Sequence, residues 1–240
     1  MIKIRKFIVM FLLVFLGIFL YFNLSYLPAE KMISNNISQH YINSGVQETG
    51  SFNLVTAILF DYRAFDSLGE STIIFAAVSG IVLILSRKTL PVSSHGLTFI
   101  VKRTLGLLTP FIFLFSIYLM THGHLSPGGG FQGGVILATI SIIFCIVYGS
   151  EFDQKKFSPQ TKTKLETGGA LLFIFMGILG VIFENGFLDN LNLFNGEPGS
   201  LISAGNIPVI NLGIGLKVGA GLAIIFYSMI QKTFGEETDH

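Results

Sequence analysis

Charge is the scarcest property of this chain. Asp, Glu, Lys and Arg make up 12% of its 240 residues, where a soluble domain carries about a quarter. That shortage excludes an ordinary soluble globular protein. The net charge is only +1 and no basic run occurs, so nothing points to nucleic acid. Cysteine occurs once, and Cys145 lies inside an apolar segment. A disulfide within the chain and a cysteine metal site are therefore excluded, and the thiol reads as a small, inert core residue. Tryptophan is absent. The glycine-rich run at 128–134 lacks a following Lys-Ser/Thr and a preceding strand, which excludes a nucleotide-binding loop.

What is present is apolar. Hydrophobic residues make up 51% of the chain, phenylalanine alone contributes 24, and mean hydropathy is +0.69. A helix needs about 20 apolar residues to cross the hydrocarbon core. Six segments meet that measure, at approximately 6–24, 68–86, 104–122, 129–149, 167–184 and 207–230. The fold predicted is all-α, a polytopic integral membrane protein with six transmembrane helices. Tyr21, Tyr118, Tyr148 and Tyr227 fall near segment ends, as interfacial aromatics do.

Twelve of the fifteen basic residues lie on one side of this arrangement. They are Lys3, Arg5, Lys6, Arg87, Lys88, Lys102, Arg103, Lys155, Lys156, Lys162, Lys164 and Lys232. Only Lys31 and Arg63 lie opposite, and Lys217 is inside a span. The asymmetry predicts both termini in the cytoplasm. The first span, with its basic head, also resembles a signal peptide, but no clear small-x-small cleavage site follows it.

Residues 25–67 form a long external segment. Within it Ser51–Phe60 has apolar residues at helical spacing, too short to span, and predicts an interfacial or re-entrant helix. A second external loop covers 185–206. The stretch Arg87–Arg103 reads as a cytoplasmic linker between two modules, 1–90 and 91–240.

Several residues could carry chemistry. Asp66 and Glu70, four apart at the head of span two, share a helix face and could form an acidic relay. The bland reading is a capping box, Ser67-x-x-Glu70. Lys217 sits near the middle of span six, where a lysine costs roughly 2.5–3.5 kcal/mol on insertion scales and should face a partner or water. It reads as a proton carrier, or as a structural group held by an ion pair or by backbone carbonyls, with Glu184 or an acid of another subunit as a candidate partner. Glycines at 213, 215, 219 and 221, and at 177 and 180, suit close helix packing. His122 and His124 stand in the external turn His122-Gly-His-Leu-Ser-Pro-Gly-Gly-Gly-Phe-Gln-Gly-Gly134, where they could titrate near neutrality. Spacing of two does not put both on one helix face, and the next histidine, His95, is across the membrane, so no metal site is expected. Pro127 can begin span four, and Pro110 should kink span three. The turn reads either as packing or as a hydrated gap in an ion path. No cofactor is called for, and no metal or nucleophile constellation supports a membrane-embedded enzyme.

Three stretches carry a family resemblance: Arg103-Thr104 with Leu108-x-Pro110, the His122–Gly134 turn, and Asn211-Leu-Gly-Ile-Gly-Leu-Lys-Val-Gly219. Through them residues 91–240 resemble the MnhB family of Mrp-type multisubunit cation/proton antiporters. Residues 1–90 resemble the small module at the C-terminal end of the large subunit of those antiporters, found as a separate small subunit in membrane-bound hydrogenases. That likeness rests on Asn53-x-x-x-x-Ile-Leu-x-Asp61-x-Arg-x-Phe65-Asp-x-Leu-Gly-Glu70. The resemblance implies a non-redox subunit of a sodium-translocating module in a prokaryotic cell membrane. Its partners would be the other subunits of an Mrp-type or hydrogenase-type complex, lipid, Na+ and H+. It also implies that Asp66 and Glu70 serve the ion path, and brings no role for His122, His124 or Lys217. The alternative is a purely structural subunit that bridges its partners in a hydrogenase- or sulfur-reductase-type complex.

Overall fold

In hydrocarbon every backbone N–H and C=O must be paired within the chain, and an unbroken helix does this for any apolar run of sufficient length. The computed structural model describes residues 10–15, 17–19, 21–22, 35–85, 97–184, 186–191 and 196–237, with backbone alone for 35–36 and 231–237. Lys3, Arg5, Lys6, Lys31, Arg87, Lys88, His95 and most of the predicted 87–103 linker lie outside the described residues, as does the Lys232 side chain.

The elements in chain order are α1 (Met10–Phe19), α2 (Asn35–Thr49), α3 (Leu54–Ala57), a π-helical turn (Ile58–Tyr62), α4 (Ala64–Leu85) and α5 (Phe99–Thr121). Then come α6 (Gly130–Tyr148), α7 (Ser150–Lys156), α8 (Pro159–Phe183) and α9 (Ile207–Glu237). Among the described residues there is no strand. The helices α4, α5, α6, α8 and α9 are long and apolar enough to cross a membrane, and the chain is a multi-pass membrane protein. They correspond to the predicted spans two to six. The predicted first span is met by α1 only in part, because the rest falls outside the described residues.

By compactness the chain divides into two units, 1–40 and 41–240. The first contains α1 and the opening of α2. In the second, α9 is the central helix, packed against α4, α5, α6 and α8. Its face made by Ile207, Ile210, Ile214 and Val218 meets Phe60, Phe173, Met176, Leu188 and Leu191 to form the core.

Glycine brings α6 and α9 together. A Cβ added at Gly134 would stand 2.7 Å from the Gly215 carbonyl oxygen, closer than a side chain tolerates, and a tight 3.1 Å from the Gly219 nitrogen. Gly215 also receives the Met120 side chain of α5. Gly177 and Gly180 differ: they take the returning chain at Gly186–Asp189 rather than another helix.

Four local features differ in detail from expectation. The polar stretch read as an external segment contains α2, held at its end by Thr49, whose hydroxyl donates to the Gly45 carbonyl at 2.7 Å. The predicted 51–60 helix is α3 running straight into the π turn, with the Asn53 side chain accepting the Val55 and Thr56 amides at 3.2 and 3.4 Å. Ser67 does not cap α4. It lies inside the helix, which begins at Ala64, and its hydroxyl donates to the Leu59 carbonyl at 2.6 Å. Pro127 does not begin α6 either, because the helix starts at Gly130 after the left-handed Gly129 (φ 143°). Pro110 lies in the interior of α5.

The start of α8 also differs from expectation. Ser158 accepts the Thr161 amide at 3.2 Å and Pro159 fills the first helical position, a combination that starts a helix where no amide donor is wasted. Lys162 and Glu166, expected before span five, are thereby inside it and buried.

Candidate functional site

The His122–Gly134 turn is held from two sides. Asn53 donates its side-chain N–H to the Gly123 and Ser126 carbonyls at 2.8 and 3.0 Å, and Thr56 Oγ1 donates to Gly123 at 2.7 Å. The His124 carbonyl accepts from the Asn53 amide and from Ser51 Oγ, both at 3.0 Å. From the opposite side Asn211 Oδ1 accepts the Gly130 amide at 2.8 Å. The turn is a junction between α3, α6 and α9.

Its two histidines diverge. His122 stacks on Tyr118 with ring centroids 4.4 Å apart, and its Nδ1 lies 3.0 Å from Thr121 Oγ1. His124 is fully buried. Neither of its ring nitrogens makes a hydrogen bond, although the Ser200 and Leu201 backbone faces the ring. Burial pushes its pKa below the ordinary imidazole value, and that nearby backbone offsets the effect only in part.

Lys217 lies 2% exposed in the interior. Its ammonium donates to the Ser71 backbone carbonyl of α4 and stands 5.8 Å from the centre of the Phe75 ring. The acid whose charge acts on it is Glu166 of α8. Glu166 is 5% exposed and its Oε1 has no hydrogen-bond partner. Its carboxylate packs beside Gly221, one helical turn beyond Lys217 on α9. Lys217 opens into a cavity of about 260 Å³ between α4 and α8, lined also by Ser71, Thr72 and Thr167.

Glu184 is not the partner of Lys217. It caps the far end of α8, its amide bonded to the Gly180 carbonyl at 2.9 Å. Eighteen residues separate it from Glu166, roughly 27 Å along a helix.

Asp66 and Glu70 share the exposed side of α4, whereas Ala64, Ser67, Ser71 and Val78 form its buried side. They are not brought together with Lys217. Asp66 pairs with Arg63. An acid in a more unusual setting is Asp61, in the π turn. Burial, then the charges of Asp189 and Glu48, raise its pKa to about 6. Beside it the Tyr62 hydroxyl donates to Glu48, and burial together with that hydrogen bond pushes the phenol up.

Sequence reasoning missed Glu166 and its neighbours because Lys162 counted as a loop charge. The signals were present: Ser158-Pro159 as a helix start, and Lys162-x-x-x-Glu166 as charges one turn apart on one face.

With the geometry in view, comparison with known proteins is direct. Residues 100–224 match the family described as "Domain related to MnhB subunit of Na+/H+ antiporter", and residues 4–98 match MbhE, the E subunit of MBH. The uncharacterized protein MJ1307 of Methanocaldococcus jannaschii is 31% identical over 226 residues, covering 82% of this chain and 83% of that one. The B subunit of the Na(+)/H(+) antiporter of Alkalihalophilus pseudofirmus is 34% identical over 90 residues, 37% of this chain and 62% of that protein. Among solved structures, a chain of the membrane-bound sulfane sulfur reductase, an archaeal respiratory membrane complex, aligns with TM-score 0.73 and 28% identity. The alignment covers 95% of this chain and 99% of that one.

Proposed function

Because this chain belongs to the family of domains related to the MnhB subunit of Na+/H+ antiporters, we propose that it is a membrane subunit of a multisubunit cation/proton antiporter or of an antiporter-like sodium-translocating module. It performs no catalysis and supplies part of an ion path. The observation that carries this reading is Lys217, a buried ammonium bonded to a backbone carbonyl, with an acid beside it and a cavity in front of it. At low dielectric such a charge is strongly coupled to any cation or proton that arrives nearby.

Asp66 and Glu70, on the exposed side of α4, are the outer acids of the path and face a partner subunit. His122, His124 and Glu184 lie at the same end of the bundle, where an ion would enter or leave. Residues 1–90 and 91–240 are two modules, and the Lys217 site joins them, with Ser71 from the first and Glu166 and Lys217 from the second. Exposed Lys155, Lys156 and Lys164 at the α7 end support an orientation with both termini in the cytoplasm of a prokaryotic cell.

A second reading, a purely bridging subunit, draws support from Asp66, whose charge Arg63 already engages. Transport and native-gel assembly, measured in the same membranes, separate the two. Lys217→Met, Asp66→Ala and Glu70→Ala are expected to assemble and to lose Na+-dependent transport. Loss of assembly in Lys217→Met, with both carboxylate variants silent, would leave only the bridging reading.

A further inference from the structure

Four ionisable side chains of alternating sign lie buried between the α7 end of the bundle and its middle. They are Asp153 at 0% exposure, Lys162 at 4%, Glu166 at 5% and Lys217 at 2%. Asp153 is anchored: Ser141 Oγ donates to one carboxylate oxygen at 2.7 Å and the Lys162 ammonium pairs with the other. Lys162 also lies 5.3 Å from the centre of the Tyr227 ring. One turn along α8 from Lys162, on the same face, stands Glu166. Its Oε1 is a buried acceptor with no donor facing it.

Two cavities open on the lysines that precede and follow Glu166 in this line. One of about 40 Å³ is lined by Lys162, Ser141 and the Gly219–Ala220 backbone of α9. The other, of about 260 Å³, holds Lys217. Each exceeds the ~10–15 Å³ that a water needs, and each offers polar partners.

We infer that Asp153, Lys162 and Glu166 form a proton relay that feeds Lys217, with Glu166 as the group that takes up and hands on the proton. The inference rests on the reading of Lys217 as a working charge of the ion path. The cargo follows from chemistry. An ammonium has three donors and no acceptor, so the lysines offer Na+ no ligand and repel it, whereas lysine and carboxylate in alternation can pass H+. Buried ion pairs are also weak sources of stability, since apolar replacements often do as well, which leaves a static role poorly motivated.

The step balances. The Lys162 ammonium, paired with Asp153, releases a proton to the Glu166 carboxylate through one bridging water and regains one from the α7 side while Asp153 holds it in place. The resulting carboxylic acid gives its proton, again through a water, to Lys217 in the free-amine form. That restores the carboxylate and leaves an ammonium, which discharges into the larger cavity toward water or a carboxylate of a partner subunit.

The test uses the whole complex in membrane vesicles. Glu166→Gln, Glu166→Asp and Lys217→Met are compared for assembly, for proton flux and for the carboxyl C=O band in pH-jump infrared difference spectra. Glu166→Gln should assemble, lose about tenfold or more of the proton flux, and lack one carboxyl band. Glu166→Asp should keep part of the flux, with a displaced band and a changed pH profile. Wild-type flux in assembled Glu166→Gln, beside a Lys217→Met that has lost transport, overturns the relay and leaves the reading of Lys217 intact. Wild-type transport in both overturns both. Should Glu166→Gln fail to assemble, Glu166→Asp decides: a band and pH profile identical to wild type overturn the relay.

Discussion

The side-chain oxygen of Asn211, in the second turn of α9, accepts the backbone N–H of Gly130, the first residue of α6, at 2.8 Å. A helix leaves its first four amides without partners, and Gly129 before α6 has no side chain to cap them. The cap therefore comes from another helix. Asn211→Ala buries an unpaired amide, a loss of about 1–3 kcal/mol. Faster hydrogen exchange at residues 123–134 and a lower thermal midpoint of the assembled complex are expected. Unchanged exchange there would show the cap to be idle.

Adjacent glycines of α8 give a sharper contrast. A methyl at Gly169 would collide with the Gly213 carbonyl of α9 and lie 2.9 Å from Lys217 Cβ, whereas one at Gly168 meets nothing within 4 Å. Gly169→Ala should destabilise the complex by about 1–3 kcal/mol through overpacking. Gly168→Ala should be neutral or gain a few tenths through helix propensity. Equal thermal midpoints for the two variants would contradict the close α8–α9 approach.

Asp61 makes the region around the π turn sensitive to pH. With its pKa raised from 3.8 to about 6, the folded chain holds a proton that the unfolded chain has lost across that window. Local stability therefore falls as pH rises from about 4 to 6 and is constant above. Hydrogen exchange of residues 41–63 should speed up over that range in the wild type. In Asp61→Asn the slope should flatten, and an identical slope would assign the effect elsewhere.

The five long helices were legible because hydropathy alone decides them. The site was less so, for reasons that can be named. Lys162 and Glu166 were hidden by an α8 that starts at Pro159, ahead of its apolar run. Glu184 looked as good a partner for Lys217 as any acid on the same span, since nothing local fixes which level of α8 lies against which level of α9. That register is set by Gly169 lying on Gly213 and Lys217, a tertiary fact. It puts Glu166 beside Lys217 and Glu184 past the start of α9. Helix α2 escaped notice because its sequence, NNISQHYINSGVQET, lacks a continuous apolar stripe. Tertiary contacts such as the stacking of Tyr41 on Tyr62, centroids 4.5 Å apart, support it instead.

The glycine seam between α6 and α9 has a mechanical side. Where two helices touch backbone to backbone, no side chain can turn aside to absorb a sliding motion, because interiors packed this tightly have discrete arrangements rather than soft ones. Gly134, Gly215 and Gly219 therefore couple the pair like two planks glued along one edge. A push on α9 near Lys217 must travel with α6 to its capped end at Gly130, and from there into the turn that carries His122 and His124.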